Sequence, residues 1–160
     1  MPSPTSRDMA ADKTKHLRQR IEQLFVLADR CDDYEARAEL ACFAAVLTSG
    51  LIEATCRRLL LSYTANRAHG SVLRFVESRL HMFQNAKTTK IQKLFGAFDT
   101  AFADRIKETL TKEEEAAIDS VVNNKNALAH GADSGLGLDT MRAYYRAVVT
   151  ALDKLSAICR

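Results

Sequence analysis

The chain has few residues that break helices, with 6 glycines and 2 prolines among 160 residues. Both prolines, Pro2 and Pro4, stand at the N-terminus. Because glycine and proline are the poorest helix formers, their scarcity beside many Ala, Leu, Glu, Lys and Arg residues favours an all-α protein. The length suits one domain with a hydrophobic core.

The chain also lacks a strong charge of either sign, since its formal net charge is +3. Residues 1–80 carry 12 basic and 10 acidic side chains, and residues 81–160 carry 11 and 10. Neither half is strongly basic, which excludes a large non-specific nucleic-acid footprint. Any contact with RNA would have to be local.

Motifs for metals and cofactors are missing as well. The sequence contains no CxxC motif, no Cys/His cluster with zinc spacing, no Gly-rich phosphate loop and no nucleophile elbow. We therefore expect no metal and no cofactor. The four cysteines are Cys31, Cys42, Cys56 and Cys159. They are expected to be free thiols in a reducing compartment.

Targeting and membrane signals are not evident in the sequence. Residues 1–11 are polar and contain no apolar stretch typical of a secretory signal. No run is expected to be long and apolar enough to span a bilayer. These observations predict a cytoplasmic protein without a membrane partner.

Apolar residues at helical spacing predict seven helices after a loose leader at residues 1–12, within one domain at residues 13–160. The predicted helices cover residues 13–29, 34–65, 71–82, 89–98, 99–110, 111–130 and 138–158. The expected architecture is a helical bundle with a long second helix and a C-terminal antiparallel helix pair. Val72, Phe75, Val76 and Leu80 are the apolar positions of the third helix.

Several helix ends carry recognisable capping residues. Asp32 or Asp33, Ser71 and Asp139 are candidate N-caps. The TKEE sequence at residues 111–114 has the spacing of a capping box. Gly131 is well placed to end the sixth helix, because glycine readily adopts the left-handed conformation.

The segment just before that glycine, residues 121–131, reads VVNNKNALAHG and holds the candidate site. It places the imidazole of His130 at a helix end, one turn after Asn126 and near the cation Lys125. Cleavage of RNA without a metal requires proton transfers and a group that holds the phosphate. Histidine suits the first task and lysine the second. The alternative is an ordinary helix end with a solvated lysine and a histidine that caps carbonyls.

This segment and two others resemble the HEPN superfamily, and most closely its RiboL-PSP-HEPN branch. Residues 71–83 (SVLRFVESRLHMF) with the following Gln84 and Asn85, residues 90–104 (KIQKLFGAFDTAFAD) and residues 118–145 occur in the family's order at compatible spacing. The resemblance extends over residues 40–158. It implies a helical bundle that forms homodimers.

Active HEPN proteins are metal-independent endoribonucleases in which an Arg and a His from each protomer meet at the dimer interface. On this resemblance His130 matches the family's His, and Asn126 matches the polar residue after the Arg. Lys125 stands where the Arg is expected. Lysine keeps the positive charge but lacks the planar fork that grips phosphate at two points.

Other residues are candidates for supporting roles. Glu53 and Arg57 form an i,i+4 pair that would complete the site or contact a partner, although a partly exposed ion pair worth below about 1 kcal/mol is the plainer interpretation. Asn123 shares the polar stripe of Asn126 and His130.

Three residues of the last helix are weaker candidates for substrate binding. Arg142 could contact phosphate, and Tyr144 and Tyr145 could stack on a base. The alternatives are a solvated helix face for Arg142 and a core position for one of the tyrosines.

The leading hypothesis is an RNA-directed HEPN homodimer that acts as a metal-independent endoribonuclease. The resemblance adds a toxin–antitoxin or phage-defence setting and a regulatory partner protein. Two alternatives stay open: a catalytically degenerate HEPN module that binds RNA or a partner protein, and a helical interaction subunit that binds no nucleic acid.

Overall fold

A computed structural model describes residues 6–132 and 135–159, with side chains from residue 12 onward. Seven helices, and no strand, occur within these ranges. The helices are α1 (Ser6–Asp29), α2 (Tyr34–Ala65), α3 (Gly70–His81), α4 (Thr88–Phe98), α5 (Thr100–Thr109), α6 (Lys112–Ala129) and α7 (Leu138–Ile158). The prediction of an all-α bundle with a long second helix is confirmed.

The helix bounds agree with the sequence pattern except at the N-terminus. Helices α2 and α7 have the predicted bounds. Helix α1 begins at Ser6 and not at residue 13 as predicted, and residues 1–5 of the predicted leader lie outside the described residues. After Pro4 no proline or glycine occurs before Gly50, and this allows the helix to begin early.

Local capping chemistry fixes the starts of α2 and α6 and the end of α6. Asp33 accepts hydrogen bonds from the N–H groups of the first turn of α2. Thr111 and Glu114 form the predicted capping box. Helix α6 ends at the C-cap residue His130, and Gly131 follows with a φ of 73°. These predictions are confirmed.

Two predicted caps were wrong. The N-cap of α3 is His69, and Ser71 lies inside the first turn. The N-cap of α7 is Gly137, and Asp139 likewise lies inside the helix. Neither N-cap residue makes a side-chain capping bond. A side chain caps only from the position before the helix, and both helices begin too early in the sequence for Ser71 or Asp139 to do so.

Helix α2 is the centre of the bundle and contacts α1, α3, α4, α6 and α7. Helices α6 and α7 also pack against each other. The largest fully buried side chains come from most of the helices: Phe95, Ile21, Leu51, Ile52, Leu60, Ile91, Ile106, Ile118, Met141, Leu152, Leu155 and Val121. Burial on several sides explains why α2 is apolar over much of its length.

By length and composition alone, α2 could cross a membrane. An 18-residue window in it has a mean hydropathy of 1.4, and 56% of that window is buried inside the bundle. The prediction that no run is long and apolar enough was therefore wrong. A core helix meets the same criterion, so the feature is weak evidence for a membrane span.

Helix α3 is covered on one side only. Among the described helices it packs against α2 alone. Leu80 is buried, but Val72 and Phe75 are 48% and 64% exposed. Met82, the C-cap residue, is 75% exposed. The apolar spacing predicted a buried side for α3, and this side is largely uncovered in a single chain. We call Val72, Phe75 and Met82 the α3 patch.

Candidate functional site

The loop between α3 and α4 is the starting point of the candidate site. Phe83 and Ala86 are buried and anchor it to the core. Between them Asn85 has a φ of 53°, in the left-handed region. Asparagine is among the few non-glycine residues that adopt this conformation readily. The turn directs the backbone N–H and the side chain of Asn85 toward α2 and α6, as the following contacts show.

Helix α2 holds this loop through Glu53 and Arg57. The Glu53 Oε1 atom accepts a hydrogen bond from the Asn85 N–H at 2.8 Å. Its Oε2 atom lies 3.8 Å from Arg57 Nη2. Arg57 Nη1 donates to the carbonyl of His81 at 3.5 Å. The predicted i,i+4 pair is therefore present, and with side chains only 13% and 24% exposed it is more buried than a surface ion pair.

Helix α6 reaches the same loop through Lys125. Its ammonium group donates to Asn85 Oδ1 at 2.8 Å and to Asn126 Oδ1 at 3.4 Å. Glu53, Arg57, Asn85, Lys125 and Asn126 thus form one connected network, which we call the polar junction. The Glu53–Arg57 pair and the Lys125–Asn126 pair, which the sequence predicted separately, are joined through Asn85. Their formal charge is +1, from two cations and one anion.

A second contact from α6 fixes the far end of the loop. Asp119 Oδ1 accepts a hydrogen bond from the Thr88 N–H at 2.7 Å, at the first residue of α4. The hydroxyl of Thr88 donates to the Glu115 carbonyl at 3.2 Å. The N-cap residue Lys87 makes no capping bond, so Asp119 takes that part from another helix. The loop is therefore tied to α6 at both Asn85 and Thr88.

His130 lies beyond the polar junction at the end of α6. Its backbone N–H donates to the carbonyls of Asn126 and Ala127 at 3.2 and 3.1 Å. Its imidazole is exposed and makes no hydrogen bond to any residue that the structure describes. Asn123 is exposed in the same way. No side-chain bond joins Asn126 to His130, although a spacing of four places them on one helix face.

The three weaker candidates on α7 serve the bundle itself. Arg142 forms an ion pair with Asp29 at 2.6 Å, and its guanidinium lies 5.2 Å from the Phe25 ring centre. Tyr145 is buried and donates to Glu22 at 3.3 Å. Burial and the charge of Glu22 raise the pKa of Tyr145 to about 12.

These contacts give the α7 candidates a place in the bundle, and the substrate-binding predictions for them stay predictions. The guanidinium of Arg142 is paired with Asp29. This ion pair links α7 to α1, so Arg142 does not lie on a fully solvated helix face. The alternative of a core position is confirmed for Tyr145. Tyr144 is half-buried and packs against the same core.

No pattern in the sequence predicted a role for Asn85, although this residue connects both halves of the polar junction. One signal was available, because an asparagine between two helical patterns is a frequent site of left-handed backbone. Its partners Glu53 and Lys125 lie 32 and 40 residues away along the chain. Only the packing of α2 against α6 brings them together.

Within the described ranges, no group of three or more His, Cys, Asp or Glu side chains is placed to hold a metal ion. The polar junction instead offers cationic and amide groups, which suit an anionic ligand. A comparison of the chain with protein-family models, curated proteins and solved structures found no significant match. The HEPN resemblance therefore stays a prediction.

Proposed function

We propose that the chain is an RNA-directed protein of the HEPN type and acts as a metal-independent endoribonuclease in a homodimer. The observation that supports this most is the polar junction. It joins Lys125 and Asn126 to the Glu53–Arg57 pair, one turn before the exposed His130. The family resemblance alone adds a toxin–antitoxin or phage-defence setting and a regulatory partner protein, whereas the proposed cytoplasmic setting comes from the sequence.

Each residue at the end of α6 has a defined task in this proposal. The exposed imidazole of His130 transfers a proton at the 2′-hydroxyl or at the leaving 5′-oxygen. Two of the three ammonium hydrogens of Lys125 bond to Asn85 and Asn126, and the third is left for a phosphate oxygen. Asn126 holds Lys125 in place. Two copies of His130 in a dimer would supply both a base and an acid.

The α3 patch supports a homodimer as the working form. Val72, Phe75 and Met82 are exposed apolar side chains on a helix covered from one side only. Clustered apolar side chains of this kind mark protein contact surfaces. The patch leads directly into the loop of Asn85, so a partner that covers it lies beside the polar junction. A second copy there would bring two candidate sites close together.

The test is cleavage of a mixed RNA pool in EDTA by the wild type, His130→Ala and Lys125→Arg. His16→Ala is the matched control, because His16 is an exposed histidine on α1. We expect cleavage by the wild type and His16→Ala, and its loss in His130→Ala. Cleavage by His130→Ala at the wild-type rate would contradict the proposal.

A second candidate function is an RNA- or protein-binding module that does not cleave. It is favoured by the hydrogen bond from Lys125 to Asn85, which commits the cation to the fold. In that case the wild type retains RNA without cutting it. Cutting by Lys125→Arg alone would mean a scaffold disabled at one position. A chain that neither cuts nor retains RNA would be a helical interaction subunit.

A further inference from the structure

A separate polar cleft lies between the C-terminal half of α2 and the C-terminal half of α7. Its volume is about 560 Å³, within the range of roughly 300–1,000 Å³ for small-molecule sites. Among the residues that line it are Arg58, Ser62, Asn66, Arg67, Ser156 and Cys159. None of these belongs to the polar junction. The cleft therefore has to be explained independently of the site at the end of α6.

Arg58 is the unusual residue of this cleft, because no acid accompanies it. Its Nε atom is buried and has no hydrogen-bond partner. Within the described part of the chain its guanidinium forms no hydrogen bond or ion pair. By contrast, Arg18, Arg57 and Arg142, which are also partly buried, each have a carboxylate. A half-buried cation without an anion is costly to the fold, and an anion from outside would offset that cost.

The other ionisable groups around the cleft leave Arg58 without a counter-charge. Asp153, the one acid that lines it, is already paired with Arg18 at 2.8 Å. Burial and the charge of Arg18 lower the pKa of Arg58. Burial raises the pKa of the Cys159 thiol to about 11, so the thiol is neutral at pH 7 and supplies no anion.

Arg67 provides a second, pre-positioned cation. Its guanidinium lies 4.0 Å from the Tyr63 ring centre, and Nη1 donates to the Tyr63 carbonyl at 3.3 Å. This stacking restricts the side chain and leaves its other N–H groups available. Arginine binds phosphate oxygens at two points, and an ordered guanidinium loses little freedom when it does so.

We propose that this cleft binds the phosphate group of a mononucleotide-sized molecule, with Arg58 and Arg67 as its two cationic contacts. Ser62, Asn66 and Ser156 supply further hydrogen-bonding groups along the walls. A phosphate of this kind can come from a free nucleotide or from the end of an RNA strand. The chemistry of recognition is the same for both sources.

The experiment is calorimetric titration of the full chain, in phosphate-free buffer, with AMP, adenosine and a short RNA with or without a 5′-phosphate. The variants are Arg58→Gln and Arg67→Gln. Arg74→Gln, an exposed arginine on α3, is the matched control. Circular dichroism checks folding, and Arg67 is exposed enough for its variant to fold if Arg58→Gln does not.

We expect AMP to bind the wild type and Arg74→Gln equally, and each cleft variant about tenfold more weakly or worse, as loss of a charge-assisted hydrogen bond implies. Binding of the 5′-phosphorylated RNA alone, lost in the same variants, would assign the phosphate to an RNA end. Equal binding of AMP and adenosine, full binding by both cleft variants, or no binding of any phosphorylated probe would overturn the proposal. The AMP titration contains no RNA, so its result is independent of RNA cleavage.

Discussion

The two ends of α6 use their polar residues in opposite ways. At the start, Glu114 accepts from the Thr111 N–H at 2.8 Å and lies 2.8 Å from the ammonium group of Lys154. Its side chain is only 8% exposed. At the other end the imidazole of His130 is exposed and makes no hydrogen bond in the described part of the chain. The polar side chain of Glu114 at the start of α6 is thus buried and hydrogen-bonded, whereas the imidazole of His130 at its open end is exposed to solvent.

With the proposed function, this difference means that residues at the start of α6 stabilise the fold and His130 at its end acts on RNA. The polar groups at the start are satisfied by the fold, so their removal should cost stability and nothing else. His130 contributes no contact that folding needs, so its removal should cost activity and nothing else. Lys125 lies between these extremes, because it bonds to Asn85 and keeps one donor for a ligand.

The largest expected effect is that of His130→Ala on RNA cleavage. General acid–base catalysis contributes about 10²–10⁴-fold, so the cleavage rate should fall at least about 100-fold. The free energy of unfolding should stay within about 0.5 kcal/mol of the wild type, as for other exposed positions. Cleavage assays and urea unfolding check the two parts. A large loss of stability would mean that this end of the helix is also structural.

Glu53→Ala should give the largest loss of stability among the residues of the polar junction. It leaves the Asn85 N–H without its acceptor and the partly buried Arg57 without its ion-pair partner. We expect the free energy of unfolding to fall by about 2–3 kcal/mol. Urea unfolding measures it, with Glu39→Ala as control because Glu39 is exposed on the same helix. Equal stability of the two variants would show that the junction does not hold the loop.

Glu114→Gln should lower the free energy of unfolding by about 1 kcal/mol at pH 7, because it removes the charge paired with Lys154, although a Gln can still form the capping box. Burial raises the pKa of Glu114, but the hydrogen bonds from Lys154 and Thr111 outweigh it and hold the pKa below its ordinary value. The carboxylate therefore stabilises the fold fully at pH values above its unfolded-state pKa and loses this effect as the pH falls through its folded-state pKa. Urea unfolding should show the wild type and the variant converging in acid. A constant difference would contradict this.

Lys125→Met should have a small effect on stability. It removes the hydrogen bonds to Asn85 and Asn126 while keeping the length of the apolar stem, and costs about 0.5–1.5 kcal/mol. Thermal or urea unfolding measures the change. RNA retention should fall in the same variant, since it has lost the phosphate-binding charge. Unchanged retention would place the phosphate contact elsewhere.

Local sequence chemistry was enough to predict much of this fold. The capping box at Thr111, the N-cap at Asp33 and the turn at Gly131 depend on neighbours within a few residues, and all three are confirmed. The exposure of Phe75 could not be predicted, because helical spacing defines an apolar side without showing whether another helix covers it.

The residues of the candidate site were predictable only in part, and their connections were not predictable. Lys125 and Glu53 were recognised in separate patterns, while Asn85, the residue that joins them, is distant from both in sequence. The same holds for the arginines. The neighbouring sequence does not show which arginine has an acidic partner. Only tertiary packing gives Arg142 a carboxylate and leaves Arg58 without one.

The most direct test combines RNA cleavage in EDTA with urea unfolding for the same two variants, His130→Ala and Glu114→Gln. We expect His130→Ala to lose cleavage and keep wild-type stability, and we expect Glu114→Gln to lose stability and keep cleavage at temperatures where it is folded. Wild-type cleavage by His130→Ala would contradict the claim that the open end of α6 is the functional one.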